Sequence, residues 1–239
     1  MLTRDPADVA HFAAELAARG IDAIAMPVTR TAPAADPEAL GRALATGAFA
    51  AIVVVSARGA AELVRALAGT RPPAIWAVGP ATLHALAAAD LLAHHPPHVR
   101  DGAGLAHALL ASGLSGRVLV PRAAEGRTEA IEILRAGGAE VVEVAAYRTI
   151  TTASDDPALA AGRAALAEGA ACGVFAPSQV TALAALVGPL DRLAAPFCAI
   201  GETTAAALRA AGILAPAVAT VPTPEAFAAA LAALCSPAA

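Results

Sequence analysis

An internal repeat constrains this 239-residue chain more than any other feature. Three segments of the first half recur in the second half, in the same order, displaced by about 120 residues. Residues 2–31 match 119–150, which sets Arg4 on Arg122, Leu16 on Leu134, Gly20 on Gly138 and Arg30 on Arg148. Each copy reads as strand, loop, amphipathic helix, glycine stop and strand. Leu16 and Leu134 fall on the apolar helix faces, and Gly20 and Gly138 fall at a left-handed helix end, which favours a residue without a Cβ. The first copy starts abruptly, with an opening strand clipped to a few residues. Residues 50–67 match 172–187: an apolar strand, a small polar residue, then a helix, with Ser56 and Ser178 as expected caps. Residues 73–89 match 198–212, setting Gly79 on Gly201 and Thr82 on Thr204. Residues 99–110 and 221–234 also resemble each other, as a short strand and a helix capped near Asp101 or Thr223, with Pro224 at a helix start.

Strand–loop–helix units in series, whose strands are continuous apolar runs, specify parallel sheets covered by helices on both faces. A duplicated set specifies two such α/β domains. At 58% hydrophobic and 15% charged residues, the chain has ample material for their cores and little for extended disorder.

The charge inventory removes several function classes. All 16 basic residues are arginines. That excludes a Schiff-base lysine, a pyridoxal anchor and a P-loop lysine. A net charge of −4, one Trp, one Tyr and five Phe argue against nucleic-acid binding. Apolar runs are too short and too interrupted for a membrane span, and the N-terminal residues lack a signal-peptide core; a cytoplasmic location is expected. Cys172, Cys198 and Cys235 form no metal or redox motif and read as reduced thiols. The run His94-His95-Pro96-Pro97-His98 lacks an acidic or Cys partner nearby and reads as a solvent-facing loop rather than a zinc site. Neither a nucleophile elbow nor a dinucleotide fingerprint is present, so a hydrolase triad and a nicotinamide cofactor are unsupported.

In open parallel sheets, ligands bind beyond the carboxyl ends of strands, where helices begin and offer unpaired N–H groups and a positive dipole end. Every repeated motif sits there. The turns Gly79-Pro80-Ala81-Thr82 and Gly201-Glu202-Thr203-Thr204 fit either close backbone approach to an anion or simple strand-to-helix turns with a Thr cap. Tyr147, the only tyrosine, ends its expected strand. Its phenol is either a proton donor to a leaving hydroxyl or part of a half-buried aromatic with its hydroxyl at the surface. Arg4, Arg58, Arg122, Arg127 and Arg148 lie at or near strand ends, either clamping carboxylates or simply solvated; Arg58, beside Ser56, is the leading candidate.

In order, Thr3-Arg4, Ser56, Val78-Gly79 with Thr82, Arg122 with Gly126-Arg127, Tyr147, Pro177-Ser178, and Ile200-Gly201 with Thr203-Thr204 resemble the motif series of the uroporphyrinogen-III synthases. The likeness spans nearly the whole chain. Ala176 stands where that family usually has Ser, and Glu202 where it often has Pro.

The resemblance implies two flavodoxin-like α/β domains joined by a two-stranded ladder. One would be a discontinuous domain, 1–30 with 151–239; the other an inserted domain, 31–150; linker strands would lie near 28–34 and 146–152. A cleft between the domains would hold the substrate. The implied activity is that of a cofactor-free lyase: cyclisation of hydroxymethylbilane to uroporphyrinogen III, with loss of water and inversion of the last pyrrole ring, in tetrapyrrole biosynthesis. A linear tetrapyrrole polycarboxylate would be the substrate, passed on by hydroxymethylbilane synthase to a monomeric enzyme. Tyr147 would be catalytic. Arg4, Ser56, Ala57, Arg58, Gly79, Thr82, Arg122, Ser178, Gln179, Gly201, Thr203 and Thr204 would bind substrate. The alternative is a non-catalytic tetrapyrrole- or solute-binding module, or a scaffold, of the same architecture.

Overall fold

A computed structural model describes residues 1–235 of the chain. In chain order its strands are β1 (Thr29–Pro33), β2 (Ala51–Val54), β3 (Ala74–Ala77), β4 (Ala93–His94), β5 (Arg117–Ala123), β6 (Glu140–Thr151), β7 (Cys172–Val174), β8 (Phe197–Ala199) and β9 (Ala217–Val218). Its α-helices are α1 (Pro6–Ala17), α2 (Ala39–Thr46), α3 (Ala57–Leu67), α4 (Pro80–Ala87), α5 (Gly102–Ala111), α6 (Glu129–Ala136), α7 (Ala160–Ala167), α8 (Pro177–Val187), α9 (Glu202–Ala210) and α10 (Pro224–Cys235).

Contacts divide the chain into two compact units, Thr31–Thr149 and the pair of segments Met1–Arg30 and Ile150–Ala239. The middle unit carries a sheet in the order β6-β5-β2-β3-β4, and β1 adds alongside β6. Pairings β2–β3, β2–β5, β3–β4 and β5–β6 are all parallel. Alternation along β2 divides its side chains between two apolar layers, as a pleated strand requires. Ile52 and Val54 join Leu40, Leu63, Leu67 and Leu86 from α2, α3 and α4. Ala51 and Val53 join Leu105, Leu109, Ile131 and Leu134 from α5 and α6. Helices therefore cover both faces, and the interior strand β2 is fully buried.

The other unit repeats this plan. β7, β8 and β9 form a parallel ladder, and Leu2 bridges in parallel to both Gly173 and Ala25, giving the spatial order Ala25, Leu2, β7, β8, β9. One layer holds Met26, Leu166, Val174, Leu183 and Leu208 beneath α7, α8 and α9. The other holds Leu2, Leu16, Phe227 and Leu231 beneath α1 and α10, with Phe12, Phe175 and Phe227 in mutual ring contact. The two sheets share one spatial order but not one chain order. In the middle unit the strands equivalent to β7, β8 and β9 come first; in the other unit the Leu2 and Ala25 segments come first. Just outside the ends of β1 and β6, Thr152 donates its N–H to the Val28 carbonyl at 3.0 Å and its hydroxyl to that of Pro27.

Several local expectations change. The strand opening the first repeat shrinks to a bridge at Leu2, and β4 and β9 have two residues each. The cap of α8 is Ala176 with no side-chain bond, not Ser178. Pro177 fixes its own φ in the helical range, so the helix begins there and Ser178 falls inside the first turn, where its backbone is helical. Thr82 and Thr204 are buried within helices rather than capping them; the caps are Gly79 and Gly201. Tyr147 does not end its strand, since β6 runs on to Thr151.

Candidate functional site

A cavity of about 480 Å³ opens at the carboxyl ends of the middle unit's strands. Its position follows from the sheet. β5 and β2 are where strand order reverses, the place at which doubly wound sheets leave a crevice. Pairing between them stops at Ile52↔Leu119, whereas β5 stays paired to β6 as far as Ala123↔Tyr147. Pro121 lies just beyond the last β2 pair and has no N–H to extend the ladder. On the facing helix, Gly59 is so close that an added Cβ would lie 3.2 Å from the Pro121 carbonyl. Above that point β2 and β5 are no longer paired.

At the equivalent point of the other unit the gap is filled. Thr3 donates its N–H to the Gly173 carbonyl at 3.1 Å, and its hydroxyl to Gln179 Oε1 at 2.7 Å. The same oxygen accepts the Phe175 N–H at 3.0 Å. Gln179 occupies the first-turn position that Gly59 has in α3, and its side chain, bonded to Thr3 and Phe175, takes up space that glycine leaves free.

Four helix starts line the cavity: Ser56 before α3, Gly79 and Pro80 at α4, Asp101 and Gly102 at α5, and Glu129 at α6. Ser56 and Asp101 cap their helices through Gly59 N–H (3.0 Å) and Gly104 N–H (2.8 Å). Gly79 has φ +93°, a conformation natural to glycine, which turns the chain into α4. These starts bring uncapped N–H groups and positive dipole ends to the cavity, whose wall also includes Asp101 and Glu129.

Tyr147 is half-buried in the wall, and its Oη lies 3.0 Å from Ser56 Oγ. A bulge after Arg122 brings Ala123 opposite Tyr147, and Ala124 N–H bonds to the Tyr147 carbonyl at 2.8 Å, fixing the backbone on both sides of the ring. Arg122 also lines the cavity, but its guanidinium is engaged: Nη1 meets Glu143 Oε2 at 2.9 Å, Nη2 donates to the Gly126 carbonyl, and Nε is buried without a partner. Glu143 bridges Arg122 and Arg135, and the Arg135 hydrogen bond, helped by Arg122, holds its carboxyl below the usual carboxylate range. Arg122 thus ties the Gly126 loop to β5, and the cations presented on the cavity wall from exposed residues are Arg100 and Arg127.

Of the site residues expected from sequence, the cavity gathers Ser56, Gly79, Thr82, Arg122 and Tyr147. Ala57 and Arg58 are not part of its wall, and Arg58 is exposed on the first turn of α3. Arg4, Ser178, Gln179, Gly201, Thr203 and Thr204 belong to the other unit. There Arg4 lies over the Phe175 ring at 5.1 Å, Ser178 and Thr203 are exposed, and Gln179 and Thr204 are buried. Gly201 is not the conformational twin of Gly79. Its φ is −178°, ordinary extended backbone, and a Cβ there would meet nothing within 4 Å. Arg100, Gly102 and Glu129 line the cavity without having been expected. The signal for Arg100 and Gly102 was the Asp101 cap, since a capped helix start after a strand marks the carboxyl end of a sheet. Among the described residues, no group of three or more His, Cys, Asp or Glu could hold a metal ion, and no helix is long and apolar enough to cross a membrane.

A duplicated, helix-covered parallel fold with a crevice at a strand-order reversal defines a doubly wound α/β protein. Residues 10–229 match the family model described as Uroporphyrinogen-III synthase HemD, and the chain belongs to that family. No curated protein matches the sequence. Among solved structures, it is similar to a substituted uroporphyrinogen III synthase from the extreme thermophile Thermus thermophilus, at 23% identity and TM-score 0.57, with 97% of this chain and 95% of that one covered. It is also similar to the uroporphyrinogen-III synthetase of Helicobacter pylori 26695, at 18% identity and TM-score 0.60, covering 89% and 92%. These likenesses establish the fold.

Proposed function

We propose that this chain is itself a uroporphyrinogen-III synthase, a lyase that converts hydroxymethylbilane to uroporphyrinogen III and water in the cytoplasm. The supporting observation is the meeting of four helix starts and the single tyrosine around one cavity. Hydroxymethylbilane carries eight carboxylates, and backbone N–H groups at helix starts receive carboxylates without requiring a cationic surface, consistent with a net charge of −4. A cavity of about 480 Å³ suits one end of such a chain, the end bearing the hydroxymethyl group.

In this reading Tyr147 gives its phenolic proton to the hydroxyl as the carbon–oxygen bond breaks. Water leaves with the bonding pair, and the pyrrole nitrogen lone pair generates an azafulvenium. The electron-rich substituted position of the last ring attacks that electrophilic carbon, and the resulting spiro intermediate fragments and recloses with the ring inverted. The final loss of a proton from the closing position restores the phenol. Orientation supplies most of the remaining advantage, since properly held ends contribute on the order of 7–11 kcal/mol in favourable intramolecular reactions. Turnover by Tyr147→Phe tests this site. General acid catalysis is worth roughly 10²- to 10⁴-fold, so formation of the inverted product should fall by at least about 10²-fold. Wild-type turnover in the folded variant would remove Tyr147 from the reaction.

A further inference from the structure

We infer that Ser56 is a positioning residue that acts through Tyr147: its hydroxyl donates to the phenolic oxygen, directs the phenolic proton into the cavity, and holds the phenolate when that proton has left. The inference rests on the proposed function and gives Ser56 a role other than carboxylate binding.

Hydrogen-bond accounting carries it. Ser56 Oγ already accepts the Gly59 N–H at 3.0 Å, and its other contact among the described residues is Tyr147 Oη at 3.0 Å. A serine hydroxyl has one proton and two lone pairs. If the phenol donated to Ser56, Oγ would accept twice and its own proton would have no protein acceptor. The phenolic proton would then also be tied up in the wall rather than facing the cavity. If Ser56 donates, its proton has an acceptor, and the phenol keeps its own proton free toward the space where a ligand sits. Both residues line that space.

The same arrangement stabilises the phenolate. When Tyr147 protonates the leaving hydroxyl, the O–H pair stays on Oη, water departs with the carbon–oxygen pair, and Ser56 Oγ–H becomes a hydrogen bond to an anion. Such bonds are roughly twice as strong as neutral ones. Ser56 is also the cap of α3, an 11-residue helix, so the negative charge develops beside the positive end of a helix dipole. When the ring-closed product releases its proton, Oη takes it back and the cycle balances. Gly59 makes room for the pair: a Cβ at that position would lie 3.0 Å from Ser56 Oγ and crowd it, whereas glycine leaves the hydroxyl in place on the Gly59 N–H.

Two independent readouts test this. Tyr147 is the only tyrosine, so the tyrosine Fermi doublet in the Raman spectrum of the ligand-free protein reports one phenol. The doublet should show a phenol that accepts a hydrogen bond in wild type, lose that signature in Ser56→Ala, and regain it in Ser56→Thr. With hydroxymethylbilane, Ser56→Ala should lower kcat on the order of 10- to 100-fold with KM little changed, the size expected for a lost hydrogen bond to a charged group. Ser56→Thr should restore most of it. Adding Ser56→Ala to Tyr147→Phe should cost nothing further, as expected when one residue acts through another. A doublet showing the phenol as donor in wild type overturns the inference even if Ser56→Ala does not fold. So does a Ser56→Ala variant that raises KM alone, or one that adds a further loss to Tyr147→Phe, because both are the behaviour of a carboxylate-binding serine. An inactive wild type with an acceptor doublet would instead overturn the proposed function and leave the hydrogen bond standing.

Discussion

At φ +93° and ψ 137°, Gly79 holds a conformation outside the left-handed helical region that costs an L-residue on the order of 1–3 kcal/mol, while Gly201 at φ −178° is ordinary extended backbone. Gly79→Ala should therefore lower stability by about 1–3 kcal/mol, and Gly201→Ala should stay within about 0.5 kcal/mol of wild type, read from urea midpoints. The cysteines provide a second contrast. Cys172 and Cys198 are buried, and burial pushes both thiols up to about 12 from 9.0, whereas Cys235 is exposed. A thiol reagent at neutral pH should titrate Cys235 in the native protein and reach the other two only on unfolding. The sign for stability follows. The unfolded Cys172 thiol ionises first, so its contribution is intact below pH 9.0 and is lost as pH rises toward about 12. Urea midpoints measured across that window should fall less steeply for Cys172→Ala than for wild type. From sequence, Tyr147 could be singled out because it is unique; its hydrogen bond to Ser56 could not, because it joins a strand residue to a helix cap 91 residues away.

Helices are where the repeat was most informative. Leu16 and Leu134, matched by sequence alone, are both fully buried, each against its own sheet. Either Leu→Ala change should cost about 2–5 kcal/mol in chemical denaturation. Caps divide differently. Ser56, Asp101 and Thr223 could be read because a small polar residue preceded each helix, and all three accept a first-turn N–H. Ser178 could not, because the proline before it starts the helix two residues early relative to the cap expected. Strand lengths were also out of reach. Leu2 pairs through a single residue on each side, and β4 and β9 through two, and short apolar runs look alike whether or not they find partners.

For the whole molecule, both sheets share one spatial order built from differently ordered segments. The repeat exposes two copies but not which segments of each copy fold together, because strand exchange leaves no mark on local pattern. Nor does the pattern show which copy keeps an open crevice. That depends on Pro121 and Gly59 in one unit against Thr3 and Gln179 in the other, four residues that only pairing register brings into comparison. Tyr147, its hydrogen-bond partner Ser56 and four helix starts all fall in the unit whose crevice is open. The most direct measurement of what that arrangement does is the isomer formed from freshly generated hydroxymethylbilane, resolved against a protein-free control. Uroporphyrinogen III, with the last ring inverted, should dominate in the presence of the chain. The same unrearranged macrocycle in both samples would contradict the assignment.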